Sequence, residues 1–345
     1  MSVKSNQFET NSLPPASFAK HVIDWQLQHG RHGLPWQQHR DPYHVLVSEL
    51  MLQQTQVRTV IPYFNNWLKE FPNINTLANA HEDHVLSVWQ GLGYYSRARN
   101  LHRAAQYVVA ELNGELPDSP ELLREVPGVG PYTAGAITAF AFNKPAAIVD
   151  GNVKRLFSRY FGIHGDLSRS NATKKLWQLA EQYTPSENNR VYAQGLLDLG
   201  ATVCKARNPV CHQCPLRTSC YALQTAQVNE LPMRKKKALL PHKDGHFILA
   251  VNAQGVVLEQ RTSTGIWPRL WCLPEVSEPP SELPVHGTFK HTFSHYRLTA
   301  TIYAANVSTT NSLLNSASTQ RVSISNLQQF GLPAPIRKYL DTQCS

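Results

Sequence analysis

Four cysteines crowd one short stretch, Cys204-x6-Cys211-x2-Cys214-x5-Cys220. In a chain of 345 residues with six cysteines, such clustering reads as a metal-ligand set rather than as disulfide partners. Four thiolates suit a tetrahedral zinc and an iron–sulfur cube equally, and spacing alone does not separate the two. Cys272 and Cys344 stand apart and read as structural or incidental. Two carboxylates carry a different chemistry. Glu49 sits among Leu46, Leu50, Met51 and Leu52. Apolar walls around a carboxyl raise its pKa, as a general acid working at neutral pH requires. Asp150 follows the apolar, strand-like Ile148-Val149 and precedes a helix expected from about Gly151. There it would serve as N-cap, and capping would also fix the direction of its carboxylate.

Between them lies a motif suited to gripping a phosphate. Ser119-Pro120 opens a short helix through Val126, with Ser119 as N-cap and Pro120 in the first position. Pro127-Gly128-Val129-Gly130 turns the chain, and Pro131 starts a second helix, Tyr132–Ala141. The glycines let another molecule approach the backbone closely, and N–H groups at the new helix's start form an anion site. Gly128, Val129 and Gly130 are therefore candidate DNA-backbone contacts, which position a protein without reading sequence.

The elements that must hold these groups follow from periodicity. From about Pro15 to Leu223 the pattern is helical: Leu46, Leu50, Val57, Ile61, Phe64 and Leu68 mark one apolar helix face. Further stripes run through Val85–Trp89, Leu101–Leu112 and Leu176–Tyr183. Asn229–Asp244, with two prolines and the basic run Arg234–Lys237, reads as a linker. Beyond it, Phe247–Val251 and Val256–Leu258 around Asn252–Gly255 signal a hairpin. Leu298–Ala304 alternates as a half-buried strand ending near Asn306. Ser308–Thr319 is expected to be a mobile loop, and Ala334–Leu340 a final helix with Pro335 in its first turn. The length predicts two domains. A net charge of +9 points towards a polyanionic partner, nucleic acid foremost. No apolar run is long enough to span a bilayer and Met1–Thr10 is polar, so a cytoplasmic protein, nucleoid-associated in a bacterium, is expected.

Val126–Gly135 followed by Val149-Asp150-Gly151-Asn152 resembles the helix–hairpin–helix glycosylases typified by endonuclease III. Leu34-Pro35-Trp36, Ser48–Val57 and Gly91–Asn100 extend that resemblance to the adenine DNA glycosylases, the MutY family. Residues from about Gly245, including Gly265–Pro274, resemble the MutT-like (Nudix-type) domain of the same family. The implied architecture is a mainly α N-terminal domain over 1–228, a linker over 229–244 and an α+β MutT/Nudix-like domain over 245–345. The N-terminal domain would carry the helix–hairpin–helix (119–141) and the iron–sulfur loop (204–220).

The resemblance also assigns roles. Glu49 is the acid that protonates the purine, and Asp150 steadies or traps the sugar cation; Tyr132 and Asn152 orient them. Trp36 and Leu52 line the base pocket. Gln53, Gln54 and Tyr94 plug and wedge the duplex from which a nucleotide has been flipped. Relatives often have arginine after the tryptophan; here Gln37 stands there and receives no role. The cysteine spacing matches the superfamily's pattern, which selects a [4Fe–4S] cluster held by Cys204, Cys211, Cys214 and Cys220, in a loop carrying Lys205, Arg207 and Arg217. Phe293, Ser294 and His295 would recognise 8-oxoguanine opposite the adenine. Bifunctional relatives carry a Schiff-base lysine where this chain has Tyr132, so hydrolysis without strand cleavage is expected. The expected partner is double-stranded DNA with A:8-oxoguanine or A:G mispairs, bound by a monomer. Competing functions are an endonuclease III-like lyase on oxidised pyrimidines, a noncatalytic DNA-damage binder, and a nucleotide hydrolase. Tyr132, the Glu49/Asp150 pair and the missing acidic helix after Pro274 oppose these in turn.

Overall fold

A computed structural model describes residues 12–167, 169–233 and 239–343. Met1–Thr10, the basic run Arg234–Lys237 and Cys344 therefore fall outside the described residues. The first part of the chain is helical: α1 (Pro15–His29), α2 (Pro35–Gln38), α3 (Pro42–Leu52), α4 (Val57–Glu70), α5 (Ile74–Ala78), α6 (Glu82–Val88) and α7 (Ser96–Glu111). The series continues with α8 (Pro120–Leu123), α9 (Pro131–Phe140), α10 (Gly151–Phe161), α11 (Ser170–Tyr183), α12 (Asn189–Asp198) and α13 (Tyr221–Gln224).

Local chemistry starts and stops these helices. Asp41 caps α3 by accepting from Tyr43 N, Ser119 caps α8, and α10 ends at Gly162 in the left-handed conformation. The stripe read as one apolar face breaks into two helices. The chain leaves α3 at Gln53, Gln54 takes φ +59°, and α4 restarts at Val57. The turn resets the helical phase, so α4 buries Val60, Phe64 and Trp67, while Ile61 and Leu68 are only partly covered.

Two compact units divide the chain, Met1–Phe64 with Arg103–Lys236, and Asn65–His102 with Lys237–Ser345. In the first, Phe18 of α1 meets Tyr160, Tyr183 and Phe157 at centroid distances of 4.9, 5.1 and 6.1 Å, mostly edge-on. Each fully buried aromatic of this kind contributes about 1.5–3 kcal/mol. Helix α3 packs on α9, and α12 packs on both α1 and α9.

The second unit holds the strands β1 (His242–Leu249), β2 (Val251–Asn252), β3 (Gly255–Gln260), β4 (Trp271–Cys272), β5 (Glu275–Val276), β6 (Val285–Thr292), β7 (Arg297–Ala304) and β8 (Thr319–Val322). One sheet runs β5-β1-β7-β6, with β1 parallel to β7 and β6 at an edge; the other runs β2-β3-β4 with β8 on β3. The predicted hairpin is β2–β3, register Val251↔Val256. Phe247–Leu249 belong instead to β1 in the other sheet, so the apolar run is shared between two layers. The final helix is present as α15 (Ala334–Gln343).

The loop expected over Ser308–Thr319 is structured: α14 (Val307–Leu314) leads to β8. Asn306 caps α14 by accepting from Thr309 N at 2.8 Å. The stretch is rich in Ser, Thr and Asn because its cap and turns use them, not because it lacks structure. After Pro274 the chain forms β5 and then irregular structure up to β6, with no helix among the described residues there.

Candidate active site

Glu49, on α3, is 4% exposed. Burial raises its carboxyl pKa to about 7; the Asp150 charge adds to the rise, and a hydrogen bond from the Tyr132 side chain opposes it. Tyr132 stands in the first turn of α9, straight after the hairpin glycines, and burial beside Glu49 and Asp150 pushes its phenol well above the ordinary value. Asp150 is the N-cap of α10. Its Oδ1 accepts from Asn152 N at 2.8 Å and from Val153 N at 2.7 Å, and its Oδ2 accepts from Asn152 Nδ2 at 2.9 Å. Burial raises the Asp150 pKa, while these three hydrogen bonds and the Arg155 charge hold it down. Capping and orientation are thus one interaction.

Glu49 faces a cavity of about 270 Å³ with Trp36, Leu52 and Val57 on its apolar wall. Trp36, 8% exposed, packs edge-on against Phe64 at 5.5 Å. Three further wall residues matter: Gln37, to which the sequence reading gave no role, and Arg31 and Gln194, which it did not single out. Arg31 Nε and Gln194 Nε2 both donate to Asp198 Oδ1, at 2.7 and 2.9 Å, and Asp198 is fully buried. Gln37 accepts from Leu34 N at 3.2 Å and donates to the Arg31 carbonyl at 3.0 Å, so it staples the loop that presents Arg31. Isolated polar residues in a loop or on a helix give no periodic signal, which is why Arg31 and Gln194 escaped notice.

In the hairpin, Gly128 takes φ +80°, a conformation that favours glycine. Gly130 is the cap of α9 with open space beside its Cα, whereas Val129 buries its side chain and uses its N–H on the Val126 carbonyl at 3.1 Å. Gln53 ends α3 and is partly covered, and Gln54 is exposed.

The four clustered cysteines open on one cavity of about 30 Å³ whose other walls include Leu156, Tyr160, Val203 and Leu216. Burial raises the thiols of Cys211, Cys214 and Cys220, Cys214 to about 12, and the neighbouring Cys204 charge raises them further. Ionising such a set requires cationic charge in its midst. Arg159, buried, donates to Cys204 Sγ at 3.3 Å and to the Lys205 carbonyl at 2.8 Å. Among the described residues no three His, Cys, Asp or Glu side chains converge on a single-ion site. A π-helical turn, Leu199–Val203, delivers Cys204.

In the other unit, Phe293–Tyr296 closes the β6–β7 hairpin, with Phe293 N donating to the Tyr296 carbonyl at 2.9 Å. Ser294 and His295 are exposed at its tip, their side chains 3.3 Å apart. Tyr94 takes φ +49° and is 47% exposed. Beneath it, Arg97 lies over the Trp89 and Tyr94 rings at 5.2 and 5.5 Å and donates to the Leu92 and Gly93 carbonyls. Tyr94 and the Phe293–Tyr296 turn line the same cavity, of about 680 Å³.

Helices flanking a glycine hairpin, a helix-capping aspartate beyond them and a four-cysteine loop define a base-excision repair protein of the helix–hairpin–helix class. Residues 47–182 match the HhH-GPD superfamily of base excision DNA repair proteins, 204–220 the iron-sulfur binding domain of endonuclease III, and 246–342 a NUDIX domain. Over 337 residues the chain is 34% identical to the adenine DNA glycosylase of Buchnera aphidicola subsp. Baizongia pistaciae, covering 94% of this chain and 95% of that one. Identity to the human adenine DNA glycosylase is 32%, over 88% of this chain and 69% of that one. Among solved structures, a thermostable thymine-DNA glycosylase is 28% identical with a TM-score of 0.56, covering 61% of this chain and 97% of that one. A trapped endonuclease III–DNA covalent intermediate, at 21% identity and a TM-score of 0.53 over 62% of this chain and 99% of that one, shares the fold. The chain belongs to the adenine DNA glycosylases, hydrolytic DNA N-glycosylases of this superfamily.

Proposed function

We propose that this enzyme binds double-stranded DNA and hydrolyses the N-glycosidic bond of adenine paired with 8-oxoguanine or guanine. The observation that carries the reading is the buried Glu49, poised near neutrality on the wall of an apolar cavity beside a second carboxylate. An intact purine leaves a sugar only when its ring is protonated and the developing sugar cation is stabilised. Two carboxyls with different environments divide those tasks. Glu49, about half protonated at pH 7, is the acid and later manages the proton of the attacking water. Asp150, held by three hydrogen bonds, supplies the negative charge beside the anomeric carbon. Tyr132 and Asn152 hold the pair in place, and Trp36 and Leu52 receive the flipped base.

In the same reading Gln53, Gln54 and Tyr94 fill the space the adenine leaves, and Gly128, Val129 and Gly130 carry backbone contacts. Residues 1–228 form the glycosylase module. Residues 245–345 form the module that reads the opposite base through Phe293, Ser294 and His295. In this reading the module binds without hydrolysing: among the described residues, the stretch between Pro274 and β6 forms β5 and irregular structure, not the acidic helix that would hold a divalent metal. Cys204, Cys211, Cys214 and Cys220 would hold a [4Fe–4S] cluster, whose charge allows four partly buried thiolates to coexist and shapes the surrounding loop.

Tyr132 offers no amine, so the product is an abasic site on an unbroken strand. The test is a duplex with A opposite 8-oxoguanine, assayed for free adenine and for strand breaks with and without alkali. Adenine release with breaks only after alkali is expected. Breaks without alkali, or a borohydride-trapped adduct, would overturn the assignment.

A further inference from the structure

Between Gly265 and Leu270 the backbone takes conformations that large side chains avoid, Trp267 at φ +49° and Arg269 at φ +61°, one on each side of Pro268. Left-handed backbone at such residues persists only where the surroundings impose it. The Pro268 carbonyl between them accepts from Arg99 Nη1, in the first turn of α7, at 2.9 Å. The strained turn sets the Trp267 indole, 8% exposed, with its ring 5.6 Å from Phe293 and 5.9 Å from His291. Phe293 lies against Tyr296 at 4.7 Å and immediately precedes Ser294. The segment that carries Arg99 is tied down a second time, where the Tyr95 hydroxyl donates to the Leu332 carbonyl at 2.8 Å. Arg99, Trp267, Phe293 and Ser294 line one cavity, and Tyr94 shares its wall.

We infer that Arg99 is a positioning residue for discrimination of the base opposite the adenine. By holding Pro268 it sets Trp267 behind Phe293, and so fixes the aromatic floor from which Ser294 meets an oxidised purine. Arg99 stands five residues beyond Tyr94, so the segment that carries the wedge is itself tied to the turn behind the reading residues. The inference rests on the lesion-reading role proposed above for Phe293–His295. A charge-assisted hydrogen bond to a carbonyl is strong enough for this task, and a shorter cation keeps only part of it.

The experiment compares wild type, Arg99→Met and Arg99→Lys in single-turnover adenine release from A:8-oxoguanine and A:G duplexes, with melting temperature as a fold control. Arg99→Met is expected to lower the A:8-oxoguanine to A:G rate ratio about tenfold, with the A:G rate changed less than about twofold, and Arg99→Lys to recover much of the ratio. An unchanged ratio overturns the inference. So does a proportional fall on both duplexes, the mark of a merely structural role. Should Arg99→Met not fold, Trp267→Phe must lower the same ratio, and an unchanged ratio again counts against the inference. A wild type with no preference for 8-oxoguanine would instead refute the lesion-reading role itself.

Discussion

Arg155 donates through Nε to the backbone carbonyl of Cys204 at 2.7 Å. Its Nη2 donates at the same time to Asn152 Oδ1 at 2.9 Å and to the Gly200 carbonyl at 2.6 Å. Asn152 holds Asp150, so one guanidinium joins the capping aspartate to the first cysteine of the loop. Truncating Arg155 to Met is expected to slow single-turnover adenine release by about 10–100-fold, the range typical of supports one step removed from a metal or reacting group. Iron content measured on the same preparation should fall with it. Wild-type values of both would remove Arg155 from the site's support.

Gly200 lies where a methyl group has no room: a Cβ there would come 2.5 Å from Asn152 Cβ and 3.1 Å from its backbone. Gly200→Ala is expected to push Asn152 away from Asp150, costing about 1–3 kcal/mol of stability. Adenine release should slow by more than global destabilisation explains. Chemical denaturation alongside single-turnover assays well below the unfolding midpoint would show whether the loss is local.

The raised pKa of Glu49 has two consequences, one for activity and one for stability, and both run downward as pH rises. Only the protonated carboxyl donates to the purine, so the rate should be high below pH 7 and fall as pH rises through about 7. Folding stability follows the proton count: between the ordinary carboxyl value of 4.5 and about 7 the native state binds more protons than the unfolded one. The Glu49 contribution therefore becomes less favourable as pH rises across that window, reaching a penalty of about 3 kcal/mol above it. Glu49→Gln should be inactive yet more stable than wild type at pH 8, with the difference vanishing near pH 4. Equal melting temperatures at pH 8 would contradict the buried-acid description.

Asp198 is fully buried, and Arg31 pairs with it from a partly exposed position. Asp198→Asn leaves that cation and Gln194 without their common acceptor charge, and should destabilise the protein by about 2–3 kcal/mol, somewhat below the cost of breaking a wholly buried pair. Because Arg31 and Gln194 face the Glu49 cavity, the saturation constant for duplex should rise as well. Thermal melts and a titration of single-turnover rate against enzyme concentration would separate the two effects.

Much of this was legible in the order of residues. Ser119, Asp150 and Pro131 announce their helix starts because a cap acts within one turn of itself, and the cysteine spacing marks a ligand set because one loop supplies all four. The acidity of Glu49 was foreshadowed by its apolar neighbours. Local signals misled where phase or partner mattered: the turn at Gln54 split one apparent stripe into two helices, and a polar stretch after Asn306 became α14.

Alone, the sequence determined which residues could cap, turn, ionise or ligate, since those properties depend on side-chain chemistry and near neighbours along the chain. Only the tertiary structure decided that Glu49, Tyr132 and Asp150, from three separate helices, share one field. It also decided that residues 65–102, helical like those around them, group with the strands of the second unit. Arg31, Gln194, Asp198, Arg155 and Arg99 acquire their roles in the same way. Apart from Gln194, which reaches Asp198 along its own helix, each acts through a hydrogen bond to a residue far off in the chain, and the free energy that makes such contacts possible comes from packing the whole core rather than from any local pattern.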